Sequence, residues 1–481
     1  MSQTLYFYDL ETSGIDARKA KIMQFAGQRT DLDLNPVAKP DNILIKMTED
    51  CLPDPQAILI TKITPQDTLN DGISEQQFAE YFTNTVMVPN TTIVGYNTIR
   101  FDNEFMRFLL YRNFYDAYEW SYKNGSSTWD ILDLVRITRA LRPDGIKWPF
   151  ASDGSPTNRL ELLTSVNKIS HLNAHDALSD VNATIAIAKL IKHKQPKIYD
   201  YLFNMRSKHE VAKLVQTGQP FLYTSGRYSN DTLKTTIAVM IGEHPVYGSS
   251  RALVYDLSQD PSEFIALKPE DLLQRMQYVK DINTDTPKRL PVKELTYNKC
   301  PAVAPLGVLK GSTLSDKLDL NIISTNLAKL KQDPSFANRV ASAFEQNISA
   351  KQQTLITYIN GVDGQLYDGF FNNYDQKLMA DIRVRQASEL ADYQPNFNDE
   401  RLEPLLLLYK ARNMPQILNQ EEQAKWHSYR QNKLLSGGDS SELAKYFKQI
   451  QNLIQSNTDE SVKNLLQDLW LWGESIAPSD N

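Results

Sequence analysis

The stretch LYFYDLETSG, residues 5–14, decides how the rest of the chain is read. Its first six residues are an apolar run rich in aromatics, which predicts a β-strand. Side chains alternate across a strand, so Asp9 and Glu11, two apart, project from the same face. Two carboxylates side by side at the end of an apolar strand repel each other unless a cation lies between them, and Mg²⁺ takes oxygen ligands of this kind. Asp-x-Glu is a weak signal alone, since Asp102-Asn103-Glu104 repeats it in the same chain.

Working outward, IMQFAGQRT (22–30) and NILIKM (42–47) read as two further strands, joined by connections of hairpin or meander length. A helix is expected over 75–87, a short strand at TTIVGYN (91–97), and helices over 100–113, 130–141, 160–167 and 176–194. Strands first, then helices with one more strand, predict an α/β mixed sheet flanked by helices. From about 221 to 310 the pattern changes to short β-like segments (232–242, 251–257, 291–305) with one helical piece at 269–280, which predicts a small β-rich domain. Past 350 the chain reads as helices at 404–413, 441–455 and 461–476, with a loop at SGGDSS (436–441). A length of 481 residues exceeds what one core serves. Three regions are therefore expected, 1–200, 201–350 and 351–481.

Two more carboxylates join the first pair. Asp102, in VGYNTIRFDNEF (94–105), falls just past a short strand, where sheet enzymes gather catalytic side chains. The competing role is a helix cap. Asp180, in NAHDALSDV (173–181), falls in the first turns of a long helix, where the helix dipole also favours an acid. His175 stands just ahead of that helix, and Asp176 is suited to capping it.

Taken together, DxE on a strand, Asp after GYNxxRF, and HDALSD resemble the DEDDh 3′→5′ exonucleases. The segments ILITKITPQD (58–67), YRNFYDAYEW (111–120), ALRPDGIKWP (140–149), NRLELLTSVN (158–167) and QLYDGFF (365–371) narrow this to a resemblance to bacterial exodeoxyribonuclease I, over nearly the whole chain. The resemblance implies a ribonuclease-H-like exonuclease domain (1–200), a small SH3-like β domain (201–350) and an α-helical C-terminal domain (351–481). It implies two Mg²⁺ ions, with Mn²⁺ as a substitute, held by Asp9, Glu11, Asp102 and Asp180, and His175 as the base that takes a proton from the attacking water. The implied substrate is single-stranded DNA, digested processively from the 3′ end to 5′-mononucleotides in DNA repair and recombination.

Aromatic platforms and basic grooves bind single strands. The candidates here are Glu11 and Thr12 beside the metals, then Arg107, Arg112, Trp129 and Arg159, with Phe7 and Phe101 as further aromatics. In the family the SH3-like and C-terminal domains close a channel over the strand, and YTSGRYSND (223–231) is a candidate loop for it. The family also binds the acidic C-terminal tail of single-stranded DNA-binding protein. Arg142 and Tyr201 match its positions, Lys310 and Lys331 stand where arginine is expected, and Pro305 where a polar residue is. Lysine keeps the charge but loses the bidentate fork. Two rival readings are an exonuclease of the same superfamily acting on RNA or duplex ends, and a nonhydrolytic DNA-binding scaffold.

Composition narrows the setting. The net charge of −6 divides into −4, +3 and −5 over the three regions, so the middle one is the most basic. No apolar run approaches a membrane span, and EPLLLLY (403–409) is far too short. The segment MSQTLYFYDLETSG lacks the features of a signal peptide, and Cys51 and Cys300 have no metal-ligand spacing. A cytoplasmic protein is expected. A chain that closes its own channel needs no partner subunit, so a monomer is expected as well.

Overall fold

The computed structural model describes residues 2–171, 176–277, 287–357 (backbone only over 351–357) and 361–479. The chain divides into two compact units, one of Met1–Ser126, Leu172–Asn182 and Ile359–Asn481, the other of Ser127–His171 and Ala183–Tyr358. These units cut across the three linear regions. The first unit joins the start of the chain to its end.

In the first unit, strands β1 (Thr4–Thr12), β2 (Ile22–Thr30), β3 (Asp41–Leu44) and β4 (Thr91–Gly95) lie in the order β3-β2-β1-β4. β1 is antiparallel to β2, with a bulge between Glu11 and Thr12, and parallel to β4 over Thr4–Phe7 and Thr91–Val94. β1 has neighbours on both edges, and its side chains are buried on both faces as well, Leu5, Tyr6, Phe7 and Tyr8 being at most 2% exposed. The strand expected over 42–47 stops at Leu44, and Ile45 makes only an isolated bridge to Ile73.

Helices α1 (Pro55–Thr61) and α2 (Pro65–Asp71) fall where no helix was expected. Their signals were local: Pro at the first helical position, the Asp54 side chain capping α1, and a Thr64/Asp67 capping box on α2. Helix α3 (Glu75–Tyr81) runs on into a π turn over Phe82–Val86, which together cover the expected 75–87. Helix α4 (Asp102–Arg112) follows β4.

The core of this unit is shared between the two ends of the chain. Tyr6, Tyr8, Phe25, Phe78, Phe105 and Leu109 form one cluster with Leu402, Leu405 and Tyr409 of helix Leu402–Asn413. Met23, Met47 and Ile58 form another with Leu443, Ile450, Leu466 and Trp472, from helices Glu442–Ser456 and Glu460–Ile476. The C-terminal helices appear as the sequence predicts, but among the described residues their buried side chains fall in the two clusters they share with the start of the chain. They cover the sheet domain's apolar side, which is where their own apolar stripes are buried.

A buried ion-pair network accompanies this packing. Asp50, fully buried, accepts from Arg412 Nη2 at 2.6 Å and Lys433 Nζ at 2.9 Å. Arg412 Nη1 also donates to Asp363 at 2.8 Å. Arg112 donates to Glu75 through Nη2 at 2.6 Å and Nε at 3.2 Å, and Asn113 adds a third bond to the same carboxylate.

In the second unit, β5 (Ser127–Asp130) leads into helix Ile131–Leu141, which the Asp130 side chain caps. Five strands, β6 (Phe221–Thr224), β7 (Thr235–His244), β8 (Gly248–Asp256), β9 (Val292–Thr296) and β10 (Ala302–Pro305), form an antiparallel sheet in the order β10-β6-β7-β8-β9. The β segments were expected there. The region also carries helices Lys208–Val215, Leu320–Gln332 and Phe336–Thr357, so the region 201–350 holds more helix than expected. Val211 and Val215 of the first pack into the sheet's core with Phe221, Ala252 and Leu295. The expected helix over 269–280 is Pro269–Met276, with 278–280 outside the described residues.

Burial raises a carboxyl pKa, yet Glu75 is held down at about 2 by Arg112 and Lys21, and Arg412 and Lys433 hold Asp50 well below its ordinary range. A depressed carboxyl stabilises the fold fully above its unfolded pKa and loses that contribution as pH falls through the folded one. For Glu75 the window runs from about 4.5 down to about 2. Glu75→Gln, which leaves Arg112 buried without its anion, is expected to cost about 3–5 kcal/mol in denaturant unfolding at pH 7. The loss of stability between pH ~5 and ~2 should then be shallower than in the wild type.

Candidate active site

The site grows from the end of β1. The β1–β4 ladder ends at Phe7–Val94, and three residues later the Leu10 N–H donates to Asp102 Oδ1 at 3.2 Å. The chain after β4 is aimed there by a tight turn. A Cβ on Gly95 would sit 2.1 Å from Thr98 Cγ2 and 2.9 Å from the Tyr8 carbonyl, and Asn97 takes a left-handed φ of 69°. Asp102 then opens α4, only 4% exposed. No side-chain capping bond is present at that helix start, so the expected cap role gives way to a bond with β1. Tyr8 Oη donates to Asn103 Oδ1, fixing the first turn of α4 against the strand.

The fourth carboxylate arrives on helix Ala177–Lys194. Asp176 caps it, accepting from the Ser179 N–H at 2.9 Å, which sets Asp180 in the first turn. Carboxylate oxygens of Asp9, Glu11 and Asp180 all lie within 4.8 Å of one another. Burial and the carboxylates of Asp102, Glu11 and Asp180 push Asp9 well above its ordinary pKa. Burial first, then Asp180 and Asp102, raise Glu11 to about 8. The charges acting most strongly on both are negative, so the arrangement is electrostatically incomplete without a cation. An all-oxygen set of this kind fits a hard divalent ion. His175 lies outside the described residues.

The other expected contacts divide. Thr12 follows Glu11, 7% exposed, and its hydroxyl donates to the Gly14 carbonyl at 2.8 Å. Arg107 is partly exposed on α4, paired with Glu104 and over the Tyr118 ring. Arg159, in the second unit, is exposed and paired with Glu161. Two expectations are corrected. Arg112 is 3% exposed and committed to Glu75, and Trp129 is 2% exposed, edge-on to Tyr199 and Phe203 in the core. Neither presents surface to a DNA strand. Phe7 is likewise core, and Phe101 packs on Phe105.

The structure adds two residues not singled out in the sequence. Tyr367 Oη donates to Glu104, the carboxylate that holds Arg107, and Phe370 is 88% exposed beside Tyr118. An exposed phenylalanine has no local sequence signature, and only its position marks it. In the second unit Arg142 Nη2 donates to the Val308 carbonyl at 2.9 Å, and Tyr201 Oη to the Val303 carbonyl at 3.2 Å. Both therefore border β10 and the turn after it, where Pro305 and Lys310 are exposed; Lys331 is exposed on helix Leu320–Gln332.

Comparison with known families assigns the class. A profile described as "Exonuclease" matches residues 6–188, "Exonuclease I SH3-like domain" matches 206–346, and "Exonuclease I C-terminal domain" matches 360–476. The protein is thus a hydrolase, an exonuclease with an SH3-like and a C-terminal domain. Exodeoxyribonuclease I of Haemophilus influenzae is 39% identical over 98% of both chains. The zinc-bound form of an E. coli exonuclease I–single-stranded DNA complex is 35% identical with a TM-score of 0.91, covering 99% of this chain and 100% of that one. A structure of SSB and exonuclease I with the inhibitor CFAM is also 35% identical, with a TM-score of 0.89 and the same coverage. The chain belongs to the exodeoxyribonuclease I family.

Asp9→Asn removes one of the mutually repelling charges. In chelator it is expected to raise the thermal midpoint, from about 1–2 kcal/mol of relieved repulsion. It should also abolish the further rise that divalent metal gives the wild type. A thermal melt of both proteins, with and without Mg²⁺ or Mn²⁺, checks both effects.

Proposed function

We propose that the protein digests single-stranded DNA processively from the 3′ end to 5′-mononucleotides, in DNA repair and recombination. The observation that carries this reading is the convergence of Asp9, Glu11 and Asp180 within 4.8 Å, with Asp102 bonded to the same strand. The DNA-bound and SSB-bound relatives support the choice of substrate and partner. Asp9, Glu11 and Asp180 would hold one Mg²⁺ and Asp9 with Asp102 a second, Mn²⁺ being a substitute. When bound, the ions supply an activated water and neutralise charge on the scissile phosphate.

The chain's own groups do the rest. His175, the residue before Asp176 in the sequence, would accept the proton of the attacking water, a task that suits an imidazole near neutral pH. Glu11 and Thr12 would touch the terminal nucleotide, while Arg107 and Arg159 would meet backbone phosphates. Exposed Phe370, with Tyr367 beside Arg107, offers a base a stacking surface. Arg142, Tyr201, Lys310 and Lys331 would receive the acidic C-terminal tail of single-stranded DNA-binding protein. No described helix is long and apolar enough to cross a membrane. A cytoplasmic monomer is the state we propose.

Incubation of 3′-labelled single-stranded DNA, duplex DNA and RNA with Mg²⁺, then with chelator, tests the substrate. Mononucleotides are expected from single-stranded DNA alone, and chelator should abolish them. Equal digestion of RNA would overturn the assignment. His175→Ala should slow hydrolysis about 10²- to 10⁴-fold while keeping the metal-induced thermal shift. Arg142→Ala should weaken binding of a labelled acidic tail peptide about tenfold, read by fluorescence anisotropy, from the loss of a charge-assisted bond.

A further inference from the structure

At the C-terminal end of α4 the first unit holds a cavity of about 320 Å³, within the size range of small-ligand sites. Apolar side chains of Met87, Leu110, Leu366 and Met379 line it, together with the rings of Tyr118 and Phe370. Phe370 is 88% exposed and its ring lies 6.0 Å from that of Tyr118, so an aromatic face is open to a flat molecule. Asp102 opens α4, and the cavity lies at the other end of that helix, about 15 Å away at a rise of ~1.5 Å per residue. It is therefore separate from the metal-ligand cluster.

Part of the lining is cationic. Arg383, on helix Asn373–Val384, borders the cavity with its guanidinium 4.4 Å from the Tyr115 ring centroid. Its Nη1 donates to the Phe114 carbonyl at 2.6 Å, and among the described residues it makes no ion pair. A guanidinium carries more N–H donors than that one bond uses. Burial lowers the Arg383 pKa most, and of the groups that act the other way the carboxylate, Glu119, is already paired with Lys123 at 2.7 Å. Gln376 also borders the cavity, and its Nε2 donates to the Phe371 carbonyl at 3.0 Å, which leaves Oε1 as an acceptor. The backbone is strained at this place. Phe114, buried and edge-on to Tyr409, takes a left-handed φ of 63°, and it is its carbonyl that Arg383 holds. Bulky residues rarely adopt that conformation, and such strain gathers at ligand sites.

We infer that this cavity is a site for a free nucleoside 5′-monophosphate. The choice of that nucleotide rests on the proposal that the protein releases 5′-mononucleotides. A nucleobase needs a flat aromatic face and a partner for its edge, which Phe370 with Tyr118 and Gln376 Oε1 supply. A phosphate monoester is an anion with several acceptor oxygens, and a guanidinium meets it through parallel N–H bonds. The apolar lining alone would suit any hydrophobic ring; the unpaired Arg383 selects a phosphorylated one.

The test uses the full chain in chelator, where nothing is digested and no metal holds phosphate. Binding of dAMP, deoxyadenosine and inorganic phosphate is measured by calorimetry for the wild type, Arg383→Gln and Phe370→Ala. In the wild type dAMP is expected to bind more tightly than either of its parts. Arg383→Gln should weaken dAMP about 10- to 100-fold and leave deoxyadenosine unchanged. Phe370→Ala should weaken both, by about fivefold or more. Should Arg383→Gln not fold, exposed Gln376→Ala is expected to weaken dAMP about 2- to 10-fold. No binding of dAMP, or binding that the variants leave unchanged, overturns the inference. So does a 5′-labelled oligo-dA whose affinity falls in Arg383→Gln while dAMP does not bind, since the cavity is then a strand contact. Digestion of single-stranded DNA by the wild type in Mg²⁺ is measured alongside. Absent digestion with variant-sensitive dAMP binding removes the proposed activity but keeps this site, whereas digestion without such binding removes this site alone.

Discussion

Four carboxylates that repel one another are held at the end of one buried strand, and much of the first unit serves to keep them there. Asp9 and Glu11 cannot swing apart because both lie in the ladder with β2, while β4 holds the earlier part of β1 over Thr4–Phe7. Asp102 is tied to the Leu10 N–H, and Asp180 is set by a helix whose start Asp176 caps. Burial first, and then the neighbouring carboxylates, raise the pKa values of Asp9 and Glu11, so the charged forms are costly there. Such an arrangement persists only where the surroundings over-determine the geometry, and it is what makes the cluster a receptor for divalent metal.

The same unit solves the opposite problem a few residues away. Asp50, Glu75 and Asp363 are as deeply buried as the metal-site acids, yet their pKa values fall because Arg112, Arg412, Lys433 and Lys21 surround them. One group of acids is neutralised by the chain and the other is left for an ion. The first group spans residues 21–112 and 363–433, so the C-terminal helices close the electrostatics of the sheet domain as well as its core. A truncated N-terminal region would leave both the apolar clusters and these charges uncovered.

Much of the fold was legible locally. Strand β2 has the residues expected for it, and the helices at 131–141, 160–166 and 177–194 begin and end within a residue or so of expectation. Periodicity and capping are properties of neighbouring residues, which is why they can be read in order. The short α1 and α2 were missed because one turn or two of helix carries little periodic signal, although their proline and capping residues were present. Arg112 and Trp129 were misplaced for a different reason. Their type suits DNA, but burial is decided by what packs on them, namely Glu75 for one and Tyr199 with Phe203 for the other.

By itself the sequence determined which side chains could do the chemistry. The two-residue spacing of Asp9 and Glu11 puts both on one face of any strand they form, and the cap at Asp176 puts Asp180 in a first helical turn. Only the tertiary structure decided that Asp180 comes within 4.8 Å of Asp9 and Glu11, that Asp102 bonds to β1 rather than caps its helix, and that the chain's end completes the core of its beginning. The physical reason is range. Backbone geometry and capping act between near neighbours, whereas burial, ion pairing and repulsion act between whatever groups the folded chain brings together.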